Sequence, residues 1–572
     1  MPPRSLACAL LLLAASSSAK ELCPRVRFVG EAPKLSETEK RLVCGDPDSD
    51  GWKNVSLPQA KDFVTAFLQA RGKHFPSFKA EGETLVVEVG TTTIVRKLTG
   101  SGLDGVYDLG KRRKITGQPL TPDLLDKVKK GVQFELESRG YACPQAIVTA
   151  DARTGEVHVD ARPGAPRALE NIVPARLDKV DPGVFRRYEA FKDGAPFDTR
   201  LLSLSSDRVK QDQLFLSAYY DVLCSTSDFS IVQRVVEGPP VLATVGVGAD
   251  TEGLLIGKLR LQDARLGARA SSAEADLYAS KLEQSLDVFM HSYLGNSARL
   301  YLIPEVFLRR ENEIQYEAAH AQASLSPAWS HDGTDLRVDV RGGPAYEYFN
   351  TLRGLGPEHS RWMAFVTRAQ VMTHLYEYYQ RDPRRGFMAA LETSSRVRDV
   401  ESNVTANRIQ ASGESLWNIG QYEPPPAILA TRGQVGTTVI SGSQTNAIGS
   451  IPPSDRYFLG GDADLRGFGR KRLPDDAAGF LTAAYEGLEL RMGDVLPYGL
   501  QPFVFMDAAM GGRTDFALEP EVYYSPGLGV RWASPFGSVR ATAGRGMTWS
   551  RGGPETAPAP RWQFFFSFGK EF

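Results

Sequence analysis

Two hydrophobic periods divide the chain, and they meet near Pro239-Pro240. After Pro240 apolar and polar residues alternate. Val241, Ala243, Val245 and Val247 alternate with Thr244, Gly246 and Gly248, and Leu336, Val338 and Val340 with Arg337, Asp339 and Arg341. Leu528, Val530 and Trp532 oppose Gly527, Gly529 and Arg531, while Val539, Ala541 and Ala543 oppose Arg540, Thr542 and Gly544. Charge on one face and apolar side chains on the other describe a sheet between water and an oily phase. The last segment, Trp562–Phe572, puts Trp562, Phe564, Phe566, Phe568 and Phe572 on one face, interrupted only by Lys570. As a soluble edge strand it would invite aggregation. About 330 residues shared among sixteen strands leave ~21 per strand and connection, which suits tilted membrane strands of ~9–11 residues. Twelve or eighteen strands fit that arithmetic too.

Before Pro240 a helix-then-strand pattern occurs three times, and such repeats deserve reading before local detail. LQARGKHFPSF precedes TLVVEV, LESRGYACPQAIVTAD precedes GEVHVD, and LSAYYDVLC precedes FSIVQRVV. Glycine after arginine at 71–72 and 139–140 suits a left-handed helix end. Pro58, Gly117-Gln118-Pro119-Leu120 and Gly194-Ala195-Pro196-Phe197 lie before the expected helices, the latter two before Asp123–Glu137 and Leu201–Tyr219. Each unit of ~75 residues reads as a strand, two helices and a strand pair, a small α+β module. The expected boundaries are 20–92, 93–165, 166–239 and, for the alternating region, 240–572.

Composition sharpens this division. The 572 residues carry 67 basic and 68 acidic side chains, a formal net charge of −1, which offers no bulk field to attract nucleic acid. Mean hydropathy is −0.26, the value of a soluble protein, yet a barrel whose alternate residues face its lumen dilutes the signal in the same way. Sixteen lysines lie between Lys20 and Lys210, whereas only Lys258, Lys281, Lys471 and Lys570 follow Pro240. At the N-terminus Arg4 precedes an apolar run, Leu6 to Ala15, and small residues end it at Ala19. Residues 1–19 therefore read as a secretory signal peptide, too short for a membrane anchor.

Four cysteines follow it: Cys23, Cys44, Cys143 and Cys224. Cys143 and Cys224 occupy near-equivalent places in units two and three, and domain-scale separation is expected to hold them beyond the ~7 Å that a bridge tolerates. In an oxidising compartment the expectation is at most one bridge, Cys23–Cys44, with four free thiols as the alternative.

The strongest local motif is Tyr457-Phe458-Leu459-Gly460-Gly461-Asp462-Ala463-Asp464-Leu465-Arg466-Gly467-Phe468-Gly469-Arg470. Aromatic-x-Gly-Gly followed by Leu-Arg-Gly-Phe resembles the signature of the BamA/TamA superfamily of outer-membrane assembly factors. Asp382-Pro383-Arg384-Arg385-Gly386-Phe387 resembles a second segment of that family, in the right order. The last strand resembles the C-terminal signal of bacterial outer-membrane barrels, carried here by Phe568 and Phe572. The α+β units resemble POTRA modules, and three of them before a barrel resemble the TamA-type members most.

The resemblance implies three POTRA-like modules and a transmembrane barrel of sixteen antiparallel strands. It implies a loop folded into the lumen, fastened by Arg466 among Gly460, Gly461, Leu465, Gly467 and Phe468. A guanidinium can fasten a loop only where acceptors converge. Asp507, in Phe503-Val504-Phe505-Met506-Asp507-Ala508-Ala509, resembles the carboxylate of the family's F-x-D-x-G strand, with Ala509 in place of its glycine. Glu489 is a second candidate partner. Arg466→Ala is expected to do more damage than Arg470→Ala.

The implied function is insertion or secretion of β-barrel clients such as autotransporters, in the bacterial outer membrane with the modules in the periplasm. Partners would be outer-membrane lipid, unfolded protein clients taken up by strand addition, and an inner-membrane-anchored TamB-like protein. Between the first strand (Leu242–Gly248) and the last, Gly246, Gly248 and Gly569 would weaken pairing and make a lateral seam. A two-partner secretion pore and a porin-like solute channel are the alternatives. No catalytic motif appears: the seven histidines form no HExxH, and neither CxxC, G-x-S-x-G nor a P-loop occurs. The expectation is no enzyme, no metal and no cofactor.

Overall fold

The computed structural model describes the chain except residues 1–19, 24, 31, 47–54, 103–114, 178, 212, 226–228, 296–298, 333–334, 379–384, 398–403, 421–424, 443–447, 494–495, 497–499, 535–536, 551–560 and 569–572. The expected signal peptide, Gly569, Phe572 and Asp382-Pro383-Arg384 lie outside the described residues. The chain divides into two compact units, Met1–Ala165 and Pro166–Phe572.

The first unit holds two small sheets. Strands β1 (Lys20–Cys23), β2 (Val26–Val29), β3 (Ser77–Glu81) and β4 (Thr84–Glu88) run in the order β1-β2-β4-β3. Helices α1 (Glu37–Cys44) and α2 (Leu57–Gln69) belong to the same module, and Val64 and Leu68 of α2 share a core with Val26, Phe28 and Val87. Local chemistry sets the helix ends. Ser36 and Glu39 form a reciprocal capping box on α1, Ser56 caps α2 with Pro58 in its first turn, and Gly72 closes it at φ 77°. A disulfide joins Cys23 to Cys44.

In the second sheet, β5 (Lys97–Ser101), β6 (Gln145–Asp151) and β7 (Glu156–Arg162) run β5-β7-β6. Helix α3 (Pro122–Glu137) lays Leu124, Val128, Val132 and Leu136, four residues apart, against Val157 and Val159. Only one α-helix of this repeat lies among the described residues.

The second unit begins with the third repeat. Its sheet, β8 (Ile172–Val173), β9 (Ser217–Cys224) and β10 (Phe229–Val236), has the order β8-β10-β9, with a 3₁₀ turn at Pro182–Arg187 and helix α4 (Thr199–Gln211). The helix expected to run to Tyr219 stops at Gln211, and LSAYYDVLC forms β9 instead. Gln213 sits at φ 52°, outside helical space, and beyond it Ala218 is buried while Tyr219 is exposed. That alternation, with β-branched and aromatic residues, favours a strand over a fourth helical turn. A second correction concerns the cysteines. Cys143 and Cys224, expected as free thiols, are each disulfide-bonded.

This third module is seated on one end of a closed barrel. Sixteen antiparallel strands run in sequence order from β11 (Val241–Asp250) to β26 (Arg561–Phe568), which pairs back onto β11. The turn between β12 (Leu254–Leu266) and β13 (Ser271–Ala279) receives the module. Ala270 enters the module's core beside Phe185, Tyr188 and Phe215, and Asp181 N–H donates to the Ala268 carbonyl at 3.0 Å. The Arg187 guanidinium lies 3.7 Å from the centre of the Tyr293 ring. Barrel side chains divide as the alternation requires: Val245, Val247 and Phe564 are exposed outward, while Phe565 and Ser567 are buried inward. No helix among the described residues is long and apolar enough to cross a membrane, a criterion that does not bear on strands.

Candidate functional site: an inward loop and the barrel seam

Between β21 (Ala427–Gly442) and β22 (Thr482–Met492) the chain makes a long loop that folds back on itself. Tyr457 pairs with Phe480 and Leu459 with Leu473 through reciprocal backbone hydrogen bonds of 2.7–3.0 Å, and the motif forms the tip. Gly460 and Gly461 turn the chain there at φ 110° and 123°, values that only glycine adopts freely. The Asp464 carboxylate holds the turn together, accepting from Gly460 N–H at 3.0 Å and Leu465 N–H at 2.7 Å.

The loop meets the barrel wall at Arg466, which is fully buried. Its guanidinium forks onto Asp507, Nε to Oδ2 at 2.8 Å and Nη2 to Oδ1 at 2.6 Å, and its own backbone N–H donates to Oδ2 at 3.1 Å. The remaining nitrogen, Nη1, reaches Glu489 Oε2 at 2.8 Å, and the Phe505 ring centre lies 3.5 Å from the guanidinium carbon. Both candidate carboxylates are thus brought to one arginine. Glu489 also accepts from Arg491 at 2.8 Å and from Arg540 at 3.3 Å, so the site gathers three guanidinium groups around two carboxylates. Phe468 packs edge-on to Tyr523 of β24 (Val522–Ser534) at 5.9 Å. Leu465 is buried with Tyr457 and Phe480.

Alternation along β22 and β23 (Leu500–Gly512) produces this convergence. Leu488, Val504 and Met506 face outward, which turns Glu489, Phe503, Phe505, Asp507 and Ala509 inward. Glycine lets the loop backbone lie flat on β25 (Gly537–Trp549). A Cβ on Gly467 would fall 2.3 Å from Gly546 N, and one on Gly546 would fall 2.3 Å from the Gly467 carbonyl. The alanine at 509 does not disturb the geometry around Asp507.

Partners beyond these have no signature in the sequence. Arg470, expected to matter less than Arg466, forks onto Glu313 at 2.8 and 3.0 Å, and Lys471 donates to Glu311 at 2.9 Å and Tyr316 at 2.7 Å. Glu252, in the turn between β11 and β12, accepts from Asp462 N–H at 3.1 Å. Arg396 is bonded to Glu347 of the wall and to Asp455 of the loop. The loop is therefore fastened at several walls, and the motif spells out only one.

The seam is short. Strand β26 pairs with β25 from Val539↔Phe568 to Gly546↔Arg561, and β11 pairs with β12 along its whole length. Between β11 and β26 the described residues pair only at Ala249↔Phe568 and Asp250↔Ser567, extended by Thr251 N–H to the Phe566 carbonyl at 3.0 Å. Gly248 stands at the closest approach, where a Cβ would lie 2.9 Å from the Phe568 carbonyl; at Gly246 the nearest group is Lys258 Cβ at 3.5 Å.

Residues 378–572 match the Omp85 superfamily domain. That segment contains the loop, its Arg466 partners and the last strand. Among solved structures the chain is similar to BamA from Haemophilus ducreyi lacking POTRA domains 1–3, at 15% identity and a TM-score of 0.50, over 80% of this chain and 95% of that one. It is also similar to CdiB from Acinetobacter baumannii, at 13% identity and a TM-score of 0.44, over 83% and 89% of the two chains. CdiB from Escherichia coli gives 12% identity and a TM-score of 0.43, over 94% and 100%. No curated protein sequence matches. The Omp85 match agrees with the family read from the loop motif, and the BamA structure shows a like fold.

Proposed function

We propose that this protein is an outer-membrane assembly or translocation factor of the TamA type. Its α+β modules would lie in the periplasm and hand unfolded protein clients, such as autotransporters, to the barrel. The work is conformational and calls on no catalytic residue, metal or cofactor. The observation that supports this reading is a closed sixteen-strand barrel, preceded by small α+β modules, whose inward loop is fastened by Arg466 to Asp507 and Glu489. The barrel would open between β11 and β26, and an incoming client strand would take their backbone groups by strand addition. A TamB-like protein anchored in the inner membrane would supply clients from the other side of the periplasm.

Joining the seam tests this. Ala249 and Phe568 are register partners, so the pair Ala249→Cys and Phe568→Cys can bridge them. Loss of client assembly in cells, restored by reductant, is expected. Undiminished assembly through a verified crosslink would defeat the proposal, and client crosslinks confined to the lumen would favour a secretion pore.

A further inference from the structure

We propose that the outer wall of the barrel around β23 is a contact between two copies of this chain, related by a two-fold axis, with Glu486 of each copy paired to Arg545 of the other. The inference goes beyond the functional reading above and does not involve the seam. Both residues face the bilayer. On β22 Leu488 is exposed and Glu489 buried, which turns Glu486 outward; on β25 Gly544 and Gly546 lie under the inward loop, which turns Arg545 outward. Both are exposed. Each stands one helical-length step of its strand below the rim opposite the third module, where β22 begins at Thr482 and β25 ends at Trp549, so the two charges sit at like depth. Among the described residues neither has a hydrogen-bond or ion-pair partner. Arg310 provides the contrast: on the same outer wall, beyond exposed Leu308, its Nε donates to Glu317 at 3.1 Å.

A lone charge facing lipid is costly, because no water or counter-charge replaces its lost hydration. One chain cannot join these two, since three strand spacings of ~4.8 Å set their strands ~14 Å apart, with Ala508 and Tyr524 between them in register. Two chains can. A two-fold axis between β23 and β24 puts Glu486 of one copy against Arg545 of the other and the reverse, as a self-complementary interface requires. The wall at that axis suits close approach. Gly433, Glu486 and Ala508 form one register row across β21, β22 and β23, and small residues let membrane-embedded backbones come near each other. Met506 and Leu528, exposed on the same wall, supply apolar contact. Gly433 has a further part: a Cβ there would lie 2.3 Å from Glu486 Oε2, so the bare glycine lets the carboxylate lie along the wall and leaves the space outside it to a guanidinium.

Exchanging charge between copies tests this, with the full-length protein singly labelled and its copies counted by bleaching steps in liposomes at a fixed protein-to-lipid ratio. The wild type should form pairs. Glu486→Arg and Arg545→Glu should each lower the pairing constant at least about tenfold, because each sets like charges face to face. Mixed together, the two variants should pair again, one copy of each, since both contacts are then between opposite charges. Retained heat-modifiable migration would show that each variant folds. A wild type that stays single overturns the proposal, as does a mixture of folded variants that pairs no better than either alone. Lipid that stays bound to a single wild-type chain and is lost in Glu486→Gln would overturn it in favour of a lipid site.

Discussion

The two grips on the inward loop use the same chemistry in different surroundings. Arg466 is sealed against Asp507 and Glu489, with each guanidinium nitrogen bonded at short range and an aromatic ring beneath it. Arg470 and Lys471 face a cluster of carboxylates, Glu252, Glu283, Glu311 and Glu313, and remain partly open to the lumen. A sealed pair is costly to break because either partner, left alone, is a charge without water. An open cluster redistributes: Lys471 also lies 3.4 Å from Glu313, ready to neutralise it if Arg470 is lost. The first grip is built to hold and the second to yield.

The most severe way to break this comparison is Asp507→Ala. It leaves Arg466 buried with half of its fork unmet, and about 3–5 kcal/mol of barrel stability should be lost. The temperature at which the folded form disappears from detergent gels should fall sharply. Arg470→Ala should cost less, about 1.5–3 kcal/mol for a hydrogen-bonded charge, and less still if Lys471 swings onto Glu313. Equal losses in the two variants would mean that the sealed and open grips are not distinct.

A milder variant probes the backbone that lies beside the sealed grip. Gly546→Ala puts a methyl group 2.3 Å from the Gly467 carbonyl. The loop must lift from β25, at about 1–3 kcal/mol for an overpacked site. Faster exchange of the Arg466 amide with little change at the Asp462 amide is the expected signature. The reverse pattern would place the weak point of the sealed grip elsewhere.

The same contrast explains what could be read without coordinates. Arg466 and Asp507 were legible because both lie in short motifs and because alternation along β23 sets the direction in which Asp507 points. Glu252 and Glu313 were not: they stand 210 and 157 residues from the groups they bind, as single carboxylates in unremarkable strands and turns. The closed barrel was visible in its period, but the strand count was open because strand and turn lengths vary. Only the ladder from β11 to β26 settles it at sixteen. In the third repeat LSAYYDVLC was read as helix by analogy with the first two units. Its own alternation, with Ala218 in and Tyr219 out, belonged to a strand.

The smallest effect separates the grips by salt. Each has a backbone amide as its reporter, Arg466 N–H on Asp507 and Asp462 N–H on Glu252. Raising ionic strength from about 0.1 M to 1 M shortens the screening length from ~10 to ~3 Å, which reaches charges in contact with water and hardly touches buried ones. At the second grip Arg470 is 24% exposed though Glu252 is only 6% exposed, so its attraction for Glu252 should weaken by at most the worth of a surface pair, about 0.2–1 kcal/mol. The Asp462 amide should then exchange roughly 1.4- to 5-fold faster, the same quantity expressed as a rate at fixed intrinsic chemistry. The Arg466 amide should keep its rate, since its partners are out of reach of ions. Parallel acceleration of both amides would show that the loop leaves the wall as one body, and that neither end is the first to go.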